Sequence, residues 1–250
     1  MSHHRPTPLH SSNHAGTPAL TQEELKALVG QEALRYVKPG DIIGVGTGST
    51  VNHFINALGA NEILCKSLKG AVSSSEATTV LLHKIGIPVL EASQVDRLSV
   101  YIDGADEIDH AGNMIKGGGA ALTREKIVAS LADTFICIAD ESKLVQTLGR
   151  FPLPVEIIPM ACAQLIRRFK QIGGQAKLRL KGEQPLVTDN AQHILDVTSL
   201  QIKEPQAFES LISQWAGVVT VGVFAHQKAT LCLLATSTGV KTLEFKSLGT

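Results

Sequence analysis

Long apolar runs and an excess of charge of either sign are both missing from this sequence. No apolar run approaches the roughly eighteen residues that would predict a membrane-spanning helix. The N-terminus does not combine a basic segment with an apolar one, so no signal peptide is predicted. Lys plus Arg and Asp plus Glu both number 23, and this balance gives no reason to expect nucleic acid or a membrane as a partner.

Cysteine is also scarce. The four cysteines, at positions 65, 137, 162 and 232, form no CxxC pair, which argues against a metal or redox motif. Cys137 and Cys232 lie in apolar runs and are predicted to be small core residues. This usage fits a protein of the reducing cytoplasm. The chain has 250 residues, of which 44% are hydrophobic, so a sizeable core is expected.

From residue 21 onward, apolar strand patterns alternate with helical ones. Thr21 followed by Glu24 is a capping-box pattern that predicts the start of the first helix. The alternation predicts an α/β fold, in which a mainly parallel sheet is covered by helices on both faces. Between residues 153 and 224 the order becomes β-α-β-β-α-β, which is the ferredoxin-like arrangement.

Three units are therefore predicted along the chain. Residues 1–20 are rich in His, Ser, Pro and Thr and are predicted to be a disordered tail. Residues 21–150 and 224–250 are predicted to form the main α/β domain, with one strong strand near the C-terminus returning to its sheet. Residues 151–223 are predicted to form a small ferredoxin-like α+β domain inserted into the main one.

The first candidate site is the loop GVGTGST, residues 44–50, between a strand and a helix. It lacks the last glycine of a dinucleotide fingerprint and the lysine of a P-loop. Its glycines and the hydroxyls of Thr47, Ser49 and Thr50, at a helix N-terminus, suit a small phosphate. The alternative is that Ser49 or Thr50 only caps the helix.

The second candidate is DGADEID, residues 103–109, at the end of an apolar strand. Ligands of open α/β sheets bind at this edge, and clustered carboxylates raise one another's pKa. Asp103 and Asp106 are predicted to point inward, because Gly and Ala between them allow a tight turn. Glu107 and Asp109 are predicted to be exposed. The alternative is a solvated loop that holds a divalent cation.

The third candidate is KGGGAALTREKI, residues 116–127. Three successive glycines cost backbone entropy, so they need a reason. One reason is a flexible turn before a helix whose N-terminus favours Glu125. The other is an anion cradle, in which backbone N–H groups approach a ligand, Lys116 supplies charge and Glu125 transfers protons. The three candidates together fit proton transfer on a small phosphorylated sugar.

Seven separated motifs make the chain resemble the type A ribose-5-phosphate isomerases: GVGTGST, GAVSSSEAT, YIDGADEID, MIKGGGAALTREKI, ICIADESK, FPLPVEIIPMA and GVVTVGVFA. The resemblance runs in order from about residue 21 to 243. It implies a Rossmann-like domain with an inserted ferredoxin-like domain. It also implies interconversion of ribose 5-phosphate and ribulose 5-phosphate in the non-oxidative pentose phosphate pathway, without a cofactor, by a homodimer or homotetramer. Independence of metal is predicted separately, because no cluster of His, Cys and carboxylate residues has the spacing of a closed metal site.

The resemblance also implies roles for individual residues. Glu125 would be the base that moves a proton between C1 and C2. Asp103, Asp106 and Lys116 would line the sugar and serve ring opening and stabilisation of an enediolate. Substrate would also be bound by Thr47, Gly48, Ser49, Thr50, Gly104, Ala105, Gly117, Gly118, Gly119, Lys143 and Lys26, with Ser49, Thr50 and Lys26 at the phosphate.

Two other functions fit parts of the pattern. A non-catalytic sugar-phosphate sensor shares this type of fold, but it would need a DNA-binding helix pair and would have no use for Glu125 beside Lys116. A hexosamine-phosphate deaminase or a sugar-phosphate lactonase is the second alternative. An assay with ribose 5-phosphate in the presence of a metal chelator separates all of these.

Overall fold

The computed structural model describes residues 20–245, so the predicted tail lies outside the described residues except for Leu20. The helices are α1 (Gln22–Ala33), α2 (Ser49–Ala60), α3 (Glu62–Ser67), α4 (Glu76–Lys84), α5 (Leu122–Leu131), α6 (Cys162–Gln171) and α7 (Pro205–Ser213). The predicted capping box opens α1: the Thr21 hydroxyl accepts from the Glu24 N–H, and the Glu24 carboxylate accepts from the Thr21 N–H.

The strands are short and most of them are buried. In chain order they are β1 (Ile42–Val45), β2 (Gly70–Ser73), β3 (Val100–Asp103), β4 (Glu107–Ile108), β5 (Met114–Ile115), β6 (Phe135–Asp140), β7 (Leu153–Ile157), β8 (Gln175–Leu178), β9 (Leu180–Lys181), β10 (Gln184–Pro185), β11 (His193–Thr198), β12 (Val218–Val221), β13 (Val223–Phe224), β14 (Leu231–Thr236) and β15 (Gly239–Glu244).

The central sheet has six strands in the order β15-β14-β6-β3-β1-β2. All neighbouring pairs are parallel except β14 with β15. Side chains alternate between two apolar layers along each strand, as Ile136 and Ile138 against Cys137 and Ala139 show on β6. Helices α1, α2 and α4 pack on one face and α5 on the other. The predicted α/β fold is confirmed, and Cys137 is a core residue as predicted.

A second sheet of four antiparallel strands has the order β12-β7-β11-β8. With α6 after β7 and α7 after β11, this is the ferredoxin-like connectivity, and it lies between β6 and β14 in the chain. Its apolar layer includes Phe169 and Trp215, whose ring centroids are 5.0 Å apart. The division into domains at residues 151 and 223 stays a prediction.

The C-terminal segment differs from the expectation of one strand. It contains two, because β14 turns at Gly239 and returns as β15 along the sheet edge. β14 is apolar and buried, whereas β15 is half-exposed and polar, so only the first has a strong sequence signal. Within residues 20–245, every helix is too short or too polar to cross a membrane.

Candidate active site

A cavity of about 290 Å³ lies where the carboxyl ends of β1 and β3 meet the N-terminus of α2. It is lined by Gln22, Lys26, Thr47, Gly48, Ser49, Thr50, Val51, Gly104, Ala105, Asp106, Lys116, Gly117, Gly118, Gly119, Glu125 and Lys143. The structure thus brings together every residue predicted for the site except Asp103, which is buried beneath Lys116. What each residue does there stays a prediction.

The N-terminus of α2 is open toward the cavity. Its N-cap residue is Gly48, with φ of 126°, and no side chain caps the helix. The alternative that Ser49 or Thr50 serves only as a cap is therefore wrong. Neither hydroxyl is hydrogen-bonded to another described residue, which leaves both as donors toward an anion at the positive end of the helix.

Thr47 lines the cavity, and its N–H and hydroxyl are hydrogen-bonded within the protein, while its role toward substrate stays a prediction. Its hydroxyl lies 2.7 Å from the Ser74 hydroxyl and 2.8 Å from the Ser75 hydroxyl. Its N–H donates to Asp103 Oδ1 at 3.1 Å. The N–H and the hydroxyl of Thr47 are therefore both hydrogen-bonded to other residues of the protein. No local sequence signal predicts this, since Ser74 and Ser75 follow a different strand.

Lys116, Asp103 and Glu125 form a buried charged group. Lys116 Nζ lies 2.8 Å from Asp103 Oδ2 and 3.3 Å from Glu125 Oε2, and it donates to the Gly104 carbonyl at 2.6 Å. The contact with Glu125 lacks hydrogen-bond geometry, so Glu125 Oε2 is a buried oxygen without a hydrogen-bond partner among the described residues. A buried oxygen without such a bond is rare in native proteins, and a catalytic role is one explanation for it.

Asp103 is oriented from three further directions. The hydroxyl of Tyr101 donates to Oδ2, and the N–H groups of Thr47 and Gly104 donate to Oδ1. The chain also passes very close, because a Cβ on Gly46 would lie 2.0 Å from Asp103 Cγ. This close approach explains why glycine occupies position 46. Tyr101 was not among the predicted site residues.

The charges of this group shift its pKa values. The pKa of Glu125 is raised to about 8: burial is the largest cause, the Lys116 ammonium opposes it, and the charges of Asp103 and Asp106 add to the rise. Burial lowers the pKa of Lys116, but the nearby carboxylates of Asp103 and Glu125 outweigh burial and raise it above its usual value. Near neutral pH, Lys116 is therefore charged and Glu125 can both hold and release a proton.

The glycines at 117–119 have different roles. Gly117 has φ of 105°, a conformation that other residues rarely adopt. The Gly118 N–H donates to Asp106 Oδ2 at 2.7 Å, and a Cβ at Gly118 would lie 2.6 Å from Asp106 Oδ1. Only Gly119 is open, with nothing nearer to its Cβ position than 3.6 Å. Gly117 and Gly118 are thus required by the geometry of the loop itself, and contact of the three glycines with substrate stays a prediction.

Among the acidic residues that follow β3, Asp106 points inward as predicted, whereas the position of Glu107 differs from the prediction. Asp106 lines the cavity, and burial raises its pKa, opposed by the Gly118 N–H and Lys116. Glu107 is buried rather than exposed, because it accepts from the N–H groups of Gly149 and Phe151 at 2.8 and 2.6 Å. Among residues 20–245, no three His, Cys, Asp or Glu side chains are arranged to hold a metal ion.

The family model of ribose 5-phosphate isomerase A (phosphoriboisomerase A) matches residues 70–239. A ribose-5-phosphate isomerase A of Albidiferax ferrireducens is 70% identical over 91% of this chain and 96% of that protein. One of a Polaromonas species is 64% identical over 94% of this chain and 98% of that protein. The chain belongs to the ribose 5-phosphate isomerase A family.

Solved structures agree with this membership. Ribose 5-phosphate isomerase A from Neisseria gonorrhoeae has a TM-score of 0.87 at 43% identity, covering 92% of this chain and 100% of that one. A D-ribose-5-phosphate isomerase in complex with phospho-erythronic acid has a TM-score of 0.86 at 37% identity, covering 90% and 100%. The chain is thus an isomerase, of the class that interconverts ribose 5-phosphate and ribulose 5-phosphate. Membership decides against the sensor and against the deaminase or lactonase.

In this isomerase, two lysines besides Lys116 line the cavity. Lys26, from α1, is held by Glu23 at 2.7 Å, and Lys143 follows β6. Gln22, at the start of α1, and Val51, in α2, also line the cavity and were not predicted. A lone Gln on a helix end carries no recognisable motif, so only the packing of α1 against α2 reveals it.

Proposed function

We propose that the isomerase reaction proceeds through an enediolate, with Glu125 as the base. Glu125 would take the proton from C2 of open-chain ribose 5-phosphate, and the electron pair would form the C1–C2 double bond as negative charge moves to O1. The same carboxyl group would then return the proton to C1, while the O2 proton moves to O1 and C2 becomes the carbonyl. The observation that carries this role is the buried Glu125 oxygen that lacks a hydrogen-bond partner within residues 20–245.

The raised pKa supports this assignment. A base that must both accept and return a proton works best when its pKa lies near the working pH. At about 8, the pKa of Glu125 meets this condition, which an exposed glutamate would not. A raised pKa together with a cavity position is what catalytic carboxyl groups commonly show.

Lys116 would stabilise the charge that develops on the sugar oxygens. Its ammonium is fixed by Asp103 and by the Gly104 carbonyl, so it needs no reorganisation when the charge appears. Asp103 would hold Lys116 in its charged form from beneath. Asp106, which lines the cavity and has a raised pKa, would transfer protons during ring opening.

The phosphate would bind at the N-terminus of α2. The hydroxyls of Ser49 and Thr50 are without partners among the described residues, and the helix contributes positive charge at this end. Lys26 and Lys143 add charge at the same cavity. Phospho-erythronic acid, which occupies a related isomerase, joins a planar anionic carboxylate to a phosphate, so it combines the two charges that an enediolate phosphate would carry.

The experiment that tests this proposal is the isomerisation of ribose 5-phosphate in deuterium oxide by the wild type and by Glu125→Gln, both with a metal chelator present. The wild type should form ribulose 5-phosphate and either exchange or transfer the C2 hydrogen. The variant should do neither. A variant that isomerises at the wild-type rate would place the base elsewhere, with Asp103 as the next candidate.

A further inference from the structure

A side chain from outside the cavity holds the glycine loop 117–119. Arg179 follows β8, in the region of the four-stranded sheet, and its side chain is 14% exposed. Its Nη1 donates to the carbonyls of Gly117 and Gly118 at 2.9 and 3.0 Å. Its Nε donates to Asp196 Oδ2 at 2.8 Å, and its Nη2 also bonds to Asp196. Arg179 is therefore fixed on one edge by Asp196 and binds the loop with the other.

These two bonds help to set the direction of two successive peptide planes. The Gly117 carbonyl also accepts from the Ala120 N–H at 3.0 Å, whereas the Gly118 carbonyl is bonded to Arg179 alone among the described residues. A trans peptide points its C=O and its N–H in opposite directions, and no cis peptide is found among the described residues. Because the Gly117 carbonyl faces Arg179, the Gly118 N–H must face the other side, where it donates to Asp106 at 2.7 Å. Because the Gly118 carbonyl also faces Arg179, the Gly119 N–H is aimed toward the side on which Asp106 lies.

That side is the cavity. Gly119 lines it, no other described residue accepts from its N–H, and a Cβ there would meet nothing nearer than Thr47 Cγ2 at 3.6 Å. We propose that Arg179 is a positioning residue of the active site: it holds the loop so that Asp106 is fixed and the Gly119 N–H faces the bound sugar. This inference rests on the proposed function of the cavity.

The chemistry of this position requires arginine. The planar guanidinium donates to a carboxylate with one edge and to two carbonyls with another, whereas a lysine ammonium is a compact point charge that cannot span both. Lys177 stands opposite Asp196 on the neighbouring strand, yet it makes no hydrogen bond with the loop. It provides a matched control, because it lies in the same groove as Arg179 and carries the same charge.

Removal and chemical rescue of the guanidinium test the inference. Arg179, Asp196, Lys177 and Gly118 line a groove of about 290 Å³ next to the cavity, so Arg179→Ala leaves a space that a guanidinium ion can enter. We expect kcat for ribose 5-phosphate to fall by about 10–100-fold, with a smaller change of KM, since a small misplacement of catalytic groups costs this much. Millimolar guanidinium should restore a large part of kcat, and urea at the same concentration should not.

Three further variants complete the experiment. Arg179→Lys should stay impaired, Lys177→Met should keep the wild-type kcat, and adding Asp196→Asn to Arg179→Ala should abolish rescue. A wild-type kcat in Arg179→Ala, or a loss that guanidinium does not reverse, would overturn the inference. If Arg179→Ala does not fold, Arg179→Lys decides, and a wild-type kcat in it overturns the inference. A normal rate in Glu125→Gln would instead refute the proposed function, independently of Arg179.

Discussion

Lys116 Nζ lies 2.8 Å from Asp103 Oδ2, and both side chains are buried. Removing the ammonium by Lys116→Met would leave the buried carboxyl groups of Asp103 and Glu125 without the cation that both contact. Breaking a buried ion pair costs about 3–5 kcal/mol, so we expect the free energy of unfolding to fall by about that amount. Urea denaturation at pH 8 measures it, with Lys69→Met as the control because Lys69 is exposed. Unchanged stability would mean that the pair is not buried as described.

Glu125→Gln should behave in the opposite way, losing activity without losing the fold. The amide has the size of the carboxyl group but cannot accept the C2 proton. We expect kcat to fall by about 10²–10⁴-fold, the usual effect of one acid–base group, with little change of KM. Steady-state kinetics measure this, and Glu141→Gln, an exposed carboxyl group outside the cavity, should have the wild-type kcat.

The pKa of Glu125 also makes a prediction about stability. Its folded-state pKa is about 8, above the ordinary value of 4.5, so the folded protein binds more protons than the unfolded chain between these pH values. The free energy of unfolding therefore falls, through the ionisation of Glu125, as the pH rises from about 4.5 to about 8. The melting temperature of Glu125→Gln minus that of the wild type should consequently be larger at pH 9 than at pH 5. A difference that does not change with pH, measured by calorimetry, would contradict the raised pKa.

Much of the site could be predicted because its residues lie in local motifs. The loop before α2, the acids after β3 and the segment 116–127 each follow a strand or precede a helix, and the carboxyl ends of parallel strands meet at one edge. The sequence also predicts the element order of the ferredoxin-like unit, whose connectivity repeats a known pattern.

The error at Glu107 and the unpredicted contacts of Thr47 both concern partners that are distant in the chain. Glu107 was predicted to be exposed because it belongs to an acidic loop, but its donors, Gly149 and Phe151, are 42 and 44 residues away. The hydrogen bonds of the Thr47 hydroxyl to Ser74 and Ser75, 27 and 28 residues away, were not predicted either. No local pattern encodes such contacts, which only the packing of separate strands creates.

The hydroxyl of Thr50 provides the test of the phosphate position. Thr50→Val keeps the shape of the side chain but removes a donor at the N-terminus of α2. Loss of a hydrogen bond to a charged group should weaken binding by about 1.5–3 kcal/mol, seen as a higher KM and a nearly unchanged kcat. Thr242→Val, the same change at an exposed position of β15 outside the cavity, should have no effect on KM. An unchanged KM for ribose 5-phosphate in Thr50→Val would place the phosphate elsewhere.

A buried carboxylate near the first turn of α5 carries the last prediction. Glu156, on β7, has no solvent exposure and accepts from the hydroxyls of Thr123 and Thr188, the latter at 2.6 Å, and from Asn190 Nδ2 at 3.2 Å. Thr123 lies two residues before Glu125, so Glu156 connects the start of this helix to the loop before β11.

In Glu156→Gln, an NH2 group replaces one of the two acceptor oxygens. Its N–H groups would then face the donors of Thr123, Thr188 and Asn190 instead of accepting from them. We expect the free energy of unfolding to fall by about 1–3 kcal/mol, because at least one buried polar group loses its partner. Chemical denaturation measures the loss, and Thr123→Ala tests its origin: if the Thr123 bond is part of the cost, the double variant will lose less than the sum of the two single variants. If the losses of unfolding free energy in the two single variants add up to that of the double variant, the bond from Thr123 in α5 does not contribute to the effect of Glu156. The carboxylate would then stabilise only the loop before β11.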